Sequence, residues 1–315
     1  MPRYTADYRT LFWALVLFPA VPLLGLTYPG ALWLLPPALY LSYCSGVLTH
    51  NHTHVPVFTN RFANHVYSAW LSIFYGCPVA FWIPTHLENH HRFLDGPEDV
   101  TRTTRRSTRH NLYQAVVYSL ACASWQRPLI ASYVRRAYAA RGRHWAALRD
   151  QAAALILAHV AVLALAVWLH GIGLGLLAYM LSFGLPALVA PTFMQFTNYL
   201  QHIHCDPASV ANHSRDFVSP MQNWFVFDNG LHGIHHDRPS VHWSRYAELD
   251  RARDPAPDAC VREHSVLWFC VKSYVLGPFW PRFRSRPAPL EAAPESLRPS
   301  QLLNVDTHGL TRRSA

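Results

Sequence analysis

The chain has 315 residues, room enough for two soluble domains, yet 51% of them are apolar and only 14% are charged, where a soluble domain carries roughly 25%. That balance disfavours an ordinary cytosolic protein and excludes a disordered chain, a collagen-like repeat and a disulfide framework. The 20 histidines outnumber the 18 acids, and the 27 basic residues, all Arg but one, leave a formal charge of +9.

Along the chain, Arg3 and Arg9 precede a block without Asp, Glu, Lys or Arg that lasts until Arg61. At about 1.5 Å per residue and about 20 residues per crossing, such a block holds two transmembrane helices rather than one. Thr27-Tyr28-Pro29-Gly30 divides it, which predicts spans near 10–27 and 31–49. No small-residue cleavage site follows Leu26, so the first span is expected to stay as an anchor. Two apolar stretches come next, 66–84 and 111–126, the first broken by Gly76 and Pro78, the second flanked by Arg. Both read as helices lying in the membrane interface. A second uncharged block lies between Asp150 and Asp206, divided at His170-Gly171-Ile172-Gly173-Leu174-Gly175, which predicts spans near 151–169 and 175–200. Beyond it, 264–281 contains Lys272 and is expected at the interface, and the Pro-rich stretch 284–315 reads as a disordered tail. The predicted fold class is an all-α integral membrane protein of four spans in two hairpins, with interfacial helices and a cytosolic cap, in one domain over 1–283.

Orientation follows from the charges. Twelve Arg separate the hairpins, thirteen Lys/Arg follow the second, and the turns within the hairpins carry none. The positive-inside rule then places both termini and the central segment in the cytoplasm. No nucleic-acid partner is needed to explain the basic excess, since no recognisable binding module is present. The six cysteines (Cys44, Cys77, Cys122, Cys205, Cys260, Cys270) form no CxxC pair and are expected to be reduced, mostly buried thiols.

Nine histidines fall into four groups. His50 and His54 stand four apart where the second span ends; His86, His90 and His91 form HLENHH; His202 closes NYLQH at the end of the fourth span; His232, His235 and His236 form HGIHH. On a helix, residues three or four apart share a face, so each group can aim two or three imidazoles at one point. Every group lies at the cytoplasmic end of a span or in the segment that follows. All nine can therefore converge at one membrane depth, provided 66–84 does not cross. The other eleven are expected to be ordinary polar residues: His52 and His204 point away from the shared faces, His159 is alone in a span, and His65, His110, His144, His170, His213, His242, His264 and His308 belong to no cluster.

Nine imidazoles exceed the four ligands of a structural zinc and the one or two of a haem, which suggests two metal ions with four or five ligands each. Imidazole suits iron, zinc and copper alike, so ligand type leaves the metal open. A soluble di-iron carboxylate bundle would show two Glu-x-x-His pairs, and only Glu88 with His91 occurs. Ligating imidazoles normally donate their second N–H to a carboxylate or carbonyl. Glu88, Asp95, Asp206, Asp228 and Asp237 lie near the boxes, and Asp228, one helical turn before His232, is the preferred candidate.

With these residues in place, the sequence resembles the membrane fatty acid desaturase family, a superfamily that also includes membrane alkane hydroxylases, over roughly residues 35–245. The boxes HNHTH, HLENHH and HGIHH with the extra His202 match its hallmark of three histidine boxes plus one late histidine. The resemblance implies a centre of two iron ions (Fe2+), O2 as cosubstrate and a separate electron donor. It also gives Asn198, one helical turn before His202, a place near the metals, against the plainer reading of a helix-packing amide. Tyr199 completes an NYxxH that is similar to the alkane hydroxylase pattern. The first box departs from related desaturases, which often carry an acid within it, by having Asn51, His52 and Thr53 there.

The implied activity is desaturation of an acyl chain of a membrane lipid or acyl thioester. A saturated chain offers no charge, leaving group or acidic proton, so metal-activated oxygen must supply the reactivity while the protein supplies position. A di-iron hydroxylase of alkyl or terpenoid substrates is the alternative within the superfamily, and a membrane zinc-binding or transport protein the alternative outside it. The chain contains no His-Pro-Gly-Gly, CxxC or GxGxxG, so electrons are expected from a ferredoxin, rubredoxin or cytochrome.

Overall fold

The computed structural model describes residues 1–289. It is mostly helical, as expected, apart from a two-stranded parallel ladder, β1 (Asp216–Phe217) with β2 (Arg262–Glu263). Three helical stretches are long and apolar enough to cross a membrane: α1 (Asp7–Thr27), α2 (Leu32–His54) and the run Arg143–His202. Each starts or ends within a few residues of the span expected from the uncharged blocks.

The third stretch is two helices, α6 (143–170) and α7 (172–202), folded back on each other. Gly171 takes φ 75°, ψ 169°, a conformation that glycine reaches without steric cost. The reversal is shown by His159, whose ring stacks on Phe183 with centroids 4.1 Å apart. A straight helix would hold those residues about 36 Å apart. α6 then runs beside α3 (Arg61–Tyr75), with His65 Nε2 2.9 Å from Asp150 Oδ2 and His159 Nε2 3.0 Å from the Ile73 carbonyl.

The stretch expected over 66–84 is instead a sharply bent pair, α3 and α4 (Val79–Phe93), meeting at 91°. Gly76 makes the corner at φ 78°, and a Cβ there would stand 2.1 Å from the Ala187 carbonyl oxygen, so only glycine fits between α3 and α7. Pro78 follows and cannot continue the helix. His54 before this pair and His86 within its second helix meet in one cluster, so the segment returns to the level at which it began.

α5 (Leu112–Ala140) is longer than the 111–126 expected, continuing through Pro128 into an arginine-bearing C-terminal half. It lies along α7, where Ala115, Tyr118 and Cys122 pack with Tyr199, Leu200 and Ile203. The main core joins α1, α2, α3 and α7 through Trp13, Phe18, Val47, Leu71, Phe74 and Met194. Outward faces of the long helices stay apolar and exposed, as at Leu157, Trp168, Ile172 and Leu188, the pattern of helices solvated by lipid.

A cap of short helices follows α7: α8 (Pro220–Phe225), α9 (His232–Asp237), α10 (Tyr246–Arg251) and α11 (Val266–Leu276), the last shorter than the 264–281 expected. The expected tail begins too early: Ser285 Oγ bonds His204 Nδ1 at 3.1 Å, and Ala288 N donates to the His204 carbonyl at 2.8 Å. Residues 290–315 of that expectation lie outside the described residues. All six cysteines are unpaired, and Cys44 and Cys122 are buried.

Candidate metal centre

All nine expected histidines meet at the end of the bundle covered by the cap, in two groups. His50, His54, His86, His91 and His235 form one, and His90, His202, His232 and His236 the other, the ligand nitrogens of each group lying within 4.8 Å of one another. His50 and His54 share a face of the last turn of α2, and His202 is the last residue of α7. Within α9, His232 and His236 stand four apart and serve one group while His235 turns to the other.

The second box departs from the expected spacing. Residues Ile83–His90 are π-helical, with bonds running five residues back instead of four. His86 therefore pairs with His91, their Nε2 atoms 3.1 Å apart, and His90 is delivered to the second group. Simple α-helical spacing would have paired His86 with His90.

The nitrogen geometry fits a bound cation. His235 Nε2 lies 2.9 Å from both His50 Nε2 and His91 Nε2, and His232 Nε2 lies 3.0 Å from both His202 Nε2 and His236 Nε2. A ring nitrogen offers one proton or one lone pair, so neither arrangement is an ordinary hydrogen-bond set. His54 Nε2 and His90 Nε2 are buried without any partner. Lone pairs converging on one point are satisfied by a divalent cation, and each group offers one such point. Burial drives the His232, His235 and His236 side chains well below the usual histidine range, which keeps them neutral, the form a metal requires.

Outer partners differ between the groups. Asp99 Oδ2 accepts from His90 Nδ1 at 2.7 Å, with both side chains buried, and Asp99 Oδ1 accepts from Thr101 N and Oγ1 at 2.8 and 2.7 Å. In the other group the partners are neutral: His50 Nδ1 meets Asn51 Oδ1 at 3.2 Å, and His235 Nδ1 meets the Tyr246 hydroxyl at 3.0 Å. Nothing in the sequence marks Asp99, because it lies nine positions after His90, past the end of the helix, with no helical register between them. Of the acids singled out from sequence, Glu88, Asp95, Asp228 and Asp237 hydrogen-bond none of the nine. Asp228 faces Arg9, and burial raises its carboxyl to about 6 against that charge. Glu88 is exposed near Arg136. Asp95 accepts from Thr103, burial raising it to about 7, and the Asp206 carboxylate caps Ala208 N. Asp237 bonds His213 and Arg253. Arg253 also meets Asp216, whose other oxygen accepts from Gly233 N at 2.7 Å, and a Cβ on Gly233 would stand 2.3 Å from Arg253 Nη1. The third box is thereby clamped from behind.

The model of the family described as Fatty acid desaturase matches residues 26–267, a span that contains all nine histidines. The chain belongs to the fatty acid desaturase family. Neither the curated proteins nor the solved structures compared with it include a match.

In this desaturase-family chain a cavity of about 320 Å³ opens from the histidines into the bundle. His50, His86, His90 and His232 stand at one end, and Ile130 of α5 and Leu188 and Pro191 of α7 line it farther along. Asn198 also lines the cavity and donates to the Tyr118 hydroxyl at 2.9 Å, so it both faces the site and ties α7 to α5. Nine of the histidines set apart from the boxes have ordinary partners, as His65 with Asp150, His144 with Tyr133, His52 with Ser68 and Val57 N, His159 with Tyr179, and His170 with the Leu26 carbonyl. His110, His204, His213 and His242 follow suit.

Proposed function

We propose that the protein is a multi-pass membrane enzyme, an oxygen-dependent desaturase that introduces a double bond into an acyl chain of a membrane lipid or acyl thioester. The observation that carries this reading is the cavity that joins the two histidine groups to the lipid-facing helices α5 and α7. Two iron ions held by His50, His54, His86, His91 and His235 and by His90, His202, His232 and His236 would supply activation of O2 for removal of hydrogen from an unactivated C–H bond.

The chain's own residues supply position. Leu188, Ile130 and Pro191 hold a flexible alkyl chain along the cavity, converting a rare conformer into the bound one. Trp82, tilted against His50 and edge-on to His86 with centroids 5.4 and 4.9 Å away, narrows the metal end and excludes water. Asp99 fixes the tautomer of His90 by accepting its Nδ1 proton. The family domain in this reading spans 1–283, with both termini and the metal centre in the cytoplasm.

Hydroxylation of an alkyl or terpenoid substrate is the second reading, favoured by the Asn198-Tyr199-x-x-His202 pattern. Product mass after turnover separates the two: a loss of 2 for desaturation, a gain of 16 for hydroxylation. A zinc transporter would need ionisable groups at mid-membrane. Among the described residues His159 is the one available there, and its two ring nitrogens are engaged by Tyr179 and the Ile73 carbonyl. Electrons in this reading come from a separate ferredoxin, rubredoxin or cytochrome. Recovery of unaltered substrate after turnover with O2 and a reducing system would contradict both oxidative readings.

A further inference from the structure

The loop after the second histidine box combines two properties: unneutralised positive charge and a continuous contact path to a histidine of the metal centre. Between Asp99 and Asp150 there is no acid, while ten Arg occur. In the cap, by contrast, three arginines are paired: Arg245 with Glu248, Arg253 with Asp216 and Asp237, Arg262 with Asp250. Arg105, Arg106 and Arg109 are exposed, and among the described residues no carboxylate pairs with them. Arg105 and Arg106 lie instead on aromatic rings, 5.4 Å from the centroid of Trp125 and 5.7 Å from that of Tyr113.

Beneath this patch the path runs inward. Half-buried Trp125 meets Tyr118, ring centroids 5.8 Å apart. The buried Tyr118 hydroxyl donates to the Thr101 carbonyl at 2.5 Å. Thr101 donates through N and Oγ1 to Asp99, and Asp99 accepts from His90. Every step is a hydrogen bond or a ring contact, and the last residue belongs to the four-histidine group.

We infer that Arg105, Arg106 and Arg109 form the docking surface for an acidic one-electron carrier protein, and that Trp125, Tyr118, Thr101 and Asp99 connect it to His90. The inference rests on the oxidative reading above. Each encounter oxidises the carrier by one electron. Two encounters with two solvent protons, together with the two protons and two electrons that leave the substrate as its two hydrogens, reduce O2 to two waters. The carrier is favoured over anionic lipid as occupant because a lipid surface would make no use of the path to His90. Opposite charge raises encounter rates by roughly tenfold to a thousandfold at low salt.

The test uses the full chain in detergent, with a plant-type [2Fe–2S] ferredoxin and its reductase as donor, and dithionite as the small-molecule comparison. The triple variant Arg105→Glu/Arg106→Glu/Arg109→Glu is expected to lower ferredoxin-driven turnover about tenfold or more at low ionic strength, to flatten its salt dependence, and to leave dithionite-driven turnover unchanged. Trp125→Leu is expected to lower the rate at saturating ferredoxin without changing the ferredoxin concentration for half-saturation. Unchanged ferredoxin-driven rates in the triple variant would overturn the docking site, as would equal losses with both reductants. Lost binding to phosphatidylserine vesicles with unchanged ferredoxin-driven rates would assign the patch to lipid and overturn it too. Absence of turnover by the unaltered protein with dithionite would overturn the oxidative reading itself and this inference with it.

Discussion

The two histidine groups are built from the same boxes yet are held differently. The five-histidine group is braced by neutral partners, Asn51 on His50 and Tyr246 on His235. The four-histidine group has one fewer ligand, and His90 is braced by the buried carboxylate of Asp99, while His202 Nδ1 and His232 Nδ1 have no partner. A carboxylate behind an imidazole raises its basicity more than a hydroxyl or amide does. The smaller group therefore depends on ligand strength where the larger depends on ligand number.

That contrast can be broken by experiment. His202→Ala leaves three ligands and His54→Ala leaves four. The first is expected to empty its site and abolish turnover, while the second retains most of its metal; equal metal contents in the two purified variants would contradict the comparison. A smaller effect is expected from Asp99→Asn, which keeps shape but removes the charge behind His90. Metal affinity of the four-histidine site should fall by about 10- to 100-fold, measured by competition with a chelator. Tyr246→Phe removes only a neutral partner of His235, so its affinity loss should be several times smaller than that of Asp99→Asn. A larger loss for Tyr246→Phe would reverse the assignment of the stronger outer partner. Smallest on metal content, Gly233→Ala pushes a methyl into Arg253 and should lower stability by about 1–3 kcal/mol, read as a shift in thermal unfolding.

Much of this was legible in the residues. The uncharged blocks located the long apolar helices, and Gly171 marked the turn between α6 and α7. The nine histidines were legible as one set, because their spacing repeats within each box and each group falls at the same end of a long apolar segment or in the segment that follows. Their division was not, since the π-helical turn over Ile83–His90 moves His86 onto His91 through a backbone choice that side-chain spacing does not announce. Asp99 escaped because its link to His90 is made by a turn and not by a helical register. The far half of α5 escaped because arginines and Pro128 interrupt its apolar pattern, although that half supplies Ile130 to the cavity wall.

In the proposed enzyme the nine histidines hold two metal ions of one kind in adjacent sites. Elemental analysis of the purified, unaltered protein tests it most directly: about two iron ions per chain are predicted, and a single tightly held zinc would contradict it.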